Sequence, residues 1–469
     1  MSHRLEFVAC SGRNRFQPGS AAFEACDSSQ PFVRGFCAGS VARDILVLAE
    51  RLRQGRLGCI SMAKLPMLCR MEGVSRIGDC ETTSVDPDKA SRSAVARVEA
   101  GRTGAGRRSA GAIAPFARSA CVFLIWLALL FSGCKGVSDR PAGTTVAVRA
   151  PLGLPPVPIP ANNPPTAETI ALGRKLFYDT ILSKDNSLSC SSCHQPEFGF
   201  RDPRELSLGV GGTKGVRHAP TLVNAAYTPH LFWDGRANSL EDQVSFPIAN
   251  PEEMNQTLKA STAKIKADPA YKPIFQAAFG TEDVTMGRVA AAIASFERTI
   301  LSGNSPFDRY QYQGDKSALT PAQIRGLAVF LDPHKGNCAS CHTIGPQNAL
   351  FTDNKFHNTG EGVGEDNEQF SDQGHYELTK ENADRGAFKT PTLRDVAKSG
   401  PYMHDGKLKT LKAVVDFYAG RGNSNPYLDQ RMKDIQLTGQ DRSDLVEFLQ
   451  SLTGEMPYSV GPPGREASK

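Results

Sequence analysis

Two runs in this 469-residue chain have the residue types and spacing to carry chemistry: Cys190-Ser191-Ser192-Cys193-His194 and Cys338-Ala339-Ser340-Cys341-His342. Each is a C-x-x-C-H motif, which can hold one c-type haem. The two thiols add covalently to the haem vinyl groups, and the adjacent His faces the iron as its proximal ligand. Paired Cys can instead bind zinc or exchange disulfides. Here the two pairs lie too far apart for one compact zinc ribbon, and neither sits in the βαβ pattern of a thioredoxin-like site. The reading is two covalently bound haem c groups. Cys190, Cys193, His194, Cys338, Cys341 and His342 attach them, and His194 and His342 are iron ligands.

The elements that must position these motifs repeat weakly. Gly173-Arg-Lys-Leu-Phe-Tyr-Asp179 leads into the first motif and Gly326-Leu-Ala-Val-Phe-Leu-Asp332 into the second. Residues 166–178 and 320–331 have apolar residues on one helical face. Thr320-Pro321-Ala322-Gln323 is a helix start, with a capping Thr, Pro at the first position and Gln at the third. Residues 284–302, 410–418 and 440–452 predict further amphipathic helices, and strand signals are few. Long loops rich in Gly, Asn, Asp and Pro, at 196–231 and 343–400, suit a fold that must cover a large apolar cofactor. The expected fold is mostly α: two cytochrome c-like haem domains with long loops, at 166–315 and 316–455, and a tail at 456–469.

The first third reads differently. Residues 1–133 carry 18 Lys+Arg and 11 Asp+Glu, whereas the rest carries 36 and 38, so the chain's net +5 belongs to the leader. The folded part thus has no basic excess for nucleic acid. Residues 1–118 read as a leader that is disordered or not translated, with a start near Val95. Residues 119–134 form a signal-like segment: Arg107, Arg108 and Arg118 precede the apolar run 120–131, and Ser132-Gly133-Cys134 follows. That run is short for a membrane span. Cys134 has a lipobox-like context, which leaves open a lipidated first residue, a plain cleaved signal or an uncleaved anchor. These features predict export to a periplasm, with a possible lipid anchor at Cys134. Residues 135–165, with seven Pro between 151 and 165, predict an extended tether that lifts the folded part off a surface. Beyond Cys134 every Cys is a haem thiol, so the exported part has no disulfide framework.

Further motifs carry a family resemblance. Asp185–His194, Ser207-Leu208-Gly209, Arg217-His218-Ala219-Pro220-Thr221-Leu222, Phe232-Trp233-Asp234-Gly235-Arg236, Pro391-Thr392-Leu393-Arg394 and Pro401-Tyr402-Met403-His404-Asp405-Gly406 together resemble the bacterial di-haem cytochrome c peroxidase/MauG family. The likeness runs from about 166 to 455. It implies a peroxide site at the N-terminal haem and an electron-transfer site at the C-terminal one. The family's Gln and Glu, ten and twenty positions after its Trp, fall on Gln243 and Glu253. A carboxylate there can move a proton between the peroxide oxygens and an amide can orient them. Trp233 would relay electrons between the haems, or simply pack the domains together.

Two departures matter. The His that blocks the first haem in many family peroxidases would lie 23 positions before the Trp, and Val210 stands there. His218 and His230 are weaker alternatives, so the first haem is expected to be open to peroxide. The Met ligand of the second haem, 14 positions after the His of Pro-Tyr-x-His, is replaced by Tyr418. MauG-type members use Tyr there. An anionic oxygen ligand favours high-valent iron and lowers the potential, whereas Met does the reverse. Met403 is the alternative ligand, and a core aromatic the alternative role for Tyr418. The family's calcium positions fall on His218, Ser399 and Pro401, and imidazole suits a hard cation poorly, so calcium stays open. The leading expectation is an exported peroxidase reducing hydrogen peroxide with electrons from a cytochrome c, a cupredoxin or another reductant. The alternatives are a MauG-like oxidase that modifies a protein or small molecule through a high-valent di-haem state, and a plain di-haem electron carrier.

Overall fold

The computed structural model describes residues 139–464 apart from 365 and 368. The leader, the apolar run and Cys134 lie outside the described residues. Among the described residues, seven helices have eight or more residues: α1 Ala167–Tyr178, α2 Leu258–Ala267, α3 Lys272–Phe279, α4 Met286–Glu297, α5 Pro321–Leu331, α6 Leu411–Ala419 and α7 Gly439–Gln450. The only two-stranded sheet among them is antiparallel, β1 Phe356–His357 with β2 Phe388–Lys389. The mostly helical, loop-rich fold is the one expected. No described helix is long and apolar enough to cross a membrane.

Local chemistry explains the helix starts. Thr166 caps α1 and Thr320 caps α5 through reciprocal capping boxes, with Pro321 at the first turn of α5; each cap satisfies an otherwise orphaned N–H. Each helix then crosses a partner at a glycine. A Cβ on Gly173 of α1 would collide with the Ala292 carbonyl of α4, and one on Gly326 of α5 with the Asp444 carbonyl of α7. The weak sequence repeat is therefore a repeated helix crossing, one per lobe.

The first lobe buries Leu172, Leu176, Tyr271, Phe275, Val289 and Ile293 together. The second buries Phe330, Phe351, Leu445, Phe448 and Leu452, and Phe307 joins that core. The chain thus enters the second lobe's core before residue 315.

Both ends of the folded part cross between lobes. The Pro-rich segment is not the free tether expected. Its carbonyls find donors on the body: Leu152 O accepts from Asn304 N (2.9 Å), Gly153 O from Ala349 N (3.0 Å) and Pro155 O from the Tyr227 hydroxyl (2.8 Å). Asn163 is buried and donates to Glu241 (2.6 Å) and to the Ala291 carbonyl (3.0 Å). The tail likewise packs: Val460 is buried with Phe177, Phe200 and Phe296 of the first lobe, and Arg174 donates to the Gly461 and Pro462 carbonyls. An extended segment with backbone groups to satisfy docks where partners exist.

Candidate functional site

Both C-x-x-C-H motifs form a single 3-10 turn, Cys190–Ser192 and Cys338–Ser340, closed by His194 N to Cys190 O (2.9 Å) and His342 N to Cys338 O (2.8 Å). The turn gathers two thiols and one imidazole on a short arc. Each imidazole is oriented identically. His194 Nδ1 lies 3.1 Å from the Phe200 carbonyl and His342 Nδ1 2.8 Å from that of Phe351. A carbonyl can only accept, so Nδ1 carries the proton and Nε2 is left as the metal-binding nitrogen, the usual arrangement of a ligating His. Phe200 and Phe351 both take positive φ, 55° and 53°. The turns before them are held by matching bonds, Thr221 Oγ1 to Gly199 O (2.6 Å) and Thr392 Oγ1 to Leu350 O (2.7 Å). Burial holds both imidazoles below the ordinary His range, hence neutral as ligation requires.

The two motifs open into one continuous cavity of about 450 Å³, which all four thiols, both imidazoles, Trp233, Gln243, Glu253 and Tyr418 line. Its apolar walls include Leu222, Val223, Ile248, Val415, Leu445 and Leu449. No disulfide joins the four Cys. Burial pushes the thiols of Cys190, Cys193 and Cys338 up, that of Cys338 to about 12. Neutral thiols on an apolar wall beside a Nδ1-anchored imidazole fit thioether attachment of haem.

On the first lobe's side, Gln243 ends the short helix Leu240–Gln243 and Glu253 lies in the turn that follows residues 245–249. Burial raises the Glu253 carboxyl, partly offset by Asn250 and Arg236; Asn250 Nδ2 donates to its Oε1 at 2.8 Å. Val210, at the blocking position, is outside the cavity wall, and its N–H donates to the Glu253 carbonyl (2.8 Å). His230 is exposed beside Asn238 and does not line the cavity. His218 does line it, buried, with Nδ1 on the Glu205 carbonyl (3.1 Å) and Nε2 without a partner.

Trp233 sits on the seam between lobes. Its indole N–H donates to His218 O (2.8 Å), and its own carbonyl accepts from Lys389 N on β2 (2.9 Å). Arg217 clamps the same seam, bonded to Asp234 and, at 2.6 and 2.8 Å, to Asp372. Tyr418, near the end of α6, lines the cavity, with Cys341, Cys338 and Glu361 close enough to act on its phenol. Burial first, then those groups, push the phenol above its usual range. A bound cation would reverse that preference. Met403 also lines the cavity, at φ 70°.

Sequence reasoning missed several cavity residues. His357 stands between Asp429 (2.8 Å) and Asp353 (3.0 Å). Burial opposes its charge, but the Asp429 carboxylate, the Cys341 sulfur and the Asp353 carboxylate together prevail and lift it to about 10. Lys389 and Glu297 were also missed. Nothing local marks them, since their surroundings are assembled from distant segments. Asn250 could have been found as an amide three positions before Glu253.

Comparison with known proteins places these features. Residues 167–317 match the family described as di-haem cytochrome c peroxidase, and residues 325–453 the cytochrome c family. The chain is 39% identical over 346 residues to the methylamine utilization protein MauG of Methylorubrum extorquens, spanning 71% of this chain and 95% of that one. It is 36% identical to the cytochrome c551 peroxidase of Nitrosomonas europaea, over 64% of this chain and 84% of the relative. Among solved structures, a MauG-like protein associated with microbial copper homeostasis superposes with a TM-score of 0.60 at 32% identity, covering 67% of this chain and 96% of that one.

Proposed function

The chain belongs to the di-haem cytochrome c peroxidase/MauG family, and from that premise we propose how its own residues divide the work. It is a c-type di-haem oxidoreductase of the peroxidase class, with two haem c groups. The overall reaction takes one hydrogen peroxide, two electrons from a donor outside the chain and two protons to two waters. When bound, haem supplies the iron position where peroxide coordinates and the one-electron redox steps.

The remaining roles belong to side chains. Cys190, Cys193 and His194 hold one group, and Cys338, Cys341 and His342 the other. Glu253 holds and moves the proton from the inner to the outer peroxide oxygen. Its raised affinity for that proton, from burial, suits a group that must both accept and donate it. Asn250 fixes its orientation, and Gln243 orients the peroxide. Trp233, hydrogen-bonded across the seam, relays electrons between lobes. Tyr418 would hold the iron of the C-terminal group through its phenol oxygen, and Val210 offers no ligand atom to the first. Calcium at the seam is disfavoured: His218 turns Nδ1 to a carbonyl and offers a hard cation only a soft nitrogen.

The observation that carries this reading is the placement of Gln243 and Glu253 on the cavity shared with both haem-attaching motifs. Peroxide turnover with a reduced small cytochrome c tests it; absence of turnover with two haems loaded would overturn it. Tyr418 supports a second reading, a MauG-like oxidase acting on an external protein or small molecule. An oxidised product with no donor consumption would mark that branch. Export to a periplasm is part of the proposal, as is lipidation at Cys134. Only four residues separate Cys134 from Asp139, which already bonds Thr285 (2.7 Å), so an anchor there would hold the body close to the membrane. Radiolabelled fatty acid incorporation, abolished in Cys134→Ala, tests this.

A further inference from the structure

The two lobes repeat each other residue by residue around their attachment motifs, and one position breaks the repeat in a costly way. Gly173 meets Ala292 and Phe296, as Gly326 meets Asp444 and Phe448. Asn224 and Asp395, both at positive φ, donate their backbone N–H to Ile300 O (2.9 Å) and Leu452 O (3.1 Å). Ala292, Phe296 and Ile300 therefore correspond to Asp444, Phe448 and Leu452. In the same register Glu297 corresponds to Leu449. Both line the cavity, 4% and 7% exposed. The second lobe closes its wall with an apolar side chain, and the first lobe puts a carboxyl there.

That carboxyl makes no side-chain hydrogen bond among the described residues, and its Oε2 is buried without a partner. Burying it unpaired costs free energy that Leu would not. The charged groups around it are few. Arg298, the next residue, is committed to Glu241 through two bonds (2.8 and 3.0 Å). The Cys190 thiol feels Glu297 from the haem-attaching turn, and Glu253 acts on that same thiol. α1, packed across α4, presents Leu172, Leu176 and Phe177 to the lobe's interior. Burial lifts the carboxyl to about 8, with Arg298 pulling it down and the Glu241 carboxylate pushing it up.

We propose that Glu297 is the charge-compensating group of the first haem: when that haem takes up an electron from the donor, Glu297 takes up one proton from water, and it releases the proton on reoxidation. The electron adds one negative charge to the site and the proton cancels it, so the buried wall keeps its net charge. The lobe that meets peroxide carries the device, and the lobe with Leu449 lacks it. The inference rests on haem attachment at Cys190 and Cys193 and not on the assigned oxidation chemistry.

Spectroelectrochemistry of the holoprotein, following each haem across pH, tests it. The carboxylate form favours the oxidised site, so the first haem's midpoint potential should fall as pH rises through about 8, with a slope approaching one proton per electron. The second haem should have a flatter profile there. Glu297→Gln and Glu297→Leu should each flatten the first haem's slope while both haems stay attached; the Leu variant copies the other lobe and so suits the fold. A wild-type profile already flat between about pH 6 and 10, the window in which a carboxyl near 8 titrates, would overturn the proposal even if neither variant folds. An unchanged slope in either folded variant would assign the proton to another group and overturn it equally. Loss of peroxide turnover with the slope intact would instead count against the peroxidase reading.

Discussion

Glu253 and Tyr418 carry the sharpest residue-level expectations. Glu253→Gln keeps size and the contact with Asn250 but removes the titrating oxygen. Haem content, read by intact mass, should stay at two, while peroxide cleavage slows by about 10²–10⁴-fold, the usual worth of a general acid/base. An unchanged rate in stopped-flow would take Glu253 out of the mechanism. Because Val210 cannot ligate iron and faces the Glu253 backbone rather than the cavity, the fully ferric protein should react with peroxide without prior reduction. A reaction that waits for reduction would point to His218, whose buried Nε2 is free. Tyr418→Met exchanges an anionic oxygen for a thioether, so the second haem's potential should rise in redox titration. No shift in potential or spectrum would leave Tyr418 a packed aromatic and turn attention to Met403.

At the scale of elements, the glycine crossings set how the helices deliver the motifs. Gly173→Ala drives a methyl into the Ala292 carbonyl of α4, and Gly326→Ala drives one into the Asp444 carbonyl of α7. Neither backbone can give way without separating its helix pair. Each substitution should cost about 1–3 kcal/mol, the range for overpacking a core, measured by chemical denaturation of the holoprotein. The effect should stay local. Gly173→Ala should perturb the first haem's absorption more than the second's, and Gly326→Ala the reverse, because each helix feeds one attachment turn. Equal perturbation of both haems would deny that the lobes act as separate supports.

For the whole molecule, the buried node Asp308–Arg394 ties the second lobe to the Pro-rich strap. Arg394 and Asp308 are 1% and 0% exposed in their side chains and bond twice, at 2.7 and 2.8 Å. Arg394 also donates to Gly153 O of the strap (2.8 Å) and to Ala349 O (2.7 Å). Asp308→Asn leaves a guanidinium buried without its counter-charge, a loss of about 3–5 kcal/mol. Thermal unfolding should shift down, and proteolysis near Gly153 should become faster as the strap loosens. Wild-type resistance in that variant would mean the strap is held by its other bonds alone.

What the sequence determined by itself was whatever is encoded within a few residues. Thr166 and Thr320 announce their helices because a cap reaches only the next turn, and Cys190–His194 and Cys338–His342 announce haem because attachment needs two thiols and an imidazole on one arc. Family spacing located Gln243, Glu253 and Tyr418, and the fold brings all three to one cavity. The tertiary structure alone decided the rest. The Pro-rich segment reads as a spacer, since nothing in its composition shows that Asn304, Ala349 and Tyr227 wait to bond its carbonyls. Glu297 reads as the polar end of an amphipathic helix until the fold buries it on the cavity wall. His357 reads as a lone imidazole until Asp429 closes over it from 72 positions away. Burial and charge pairing are sums over segments remote in sequence, and only the folded chain performs them.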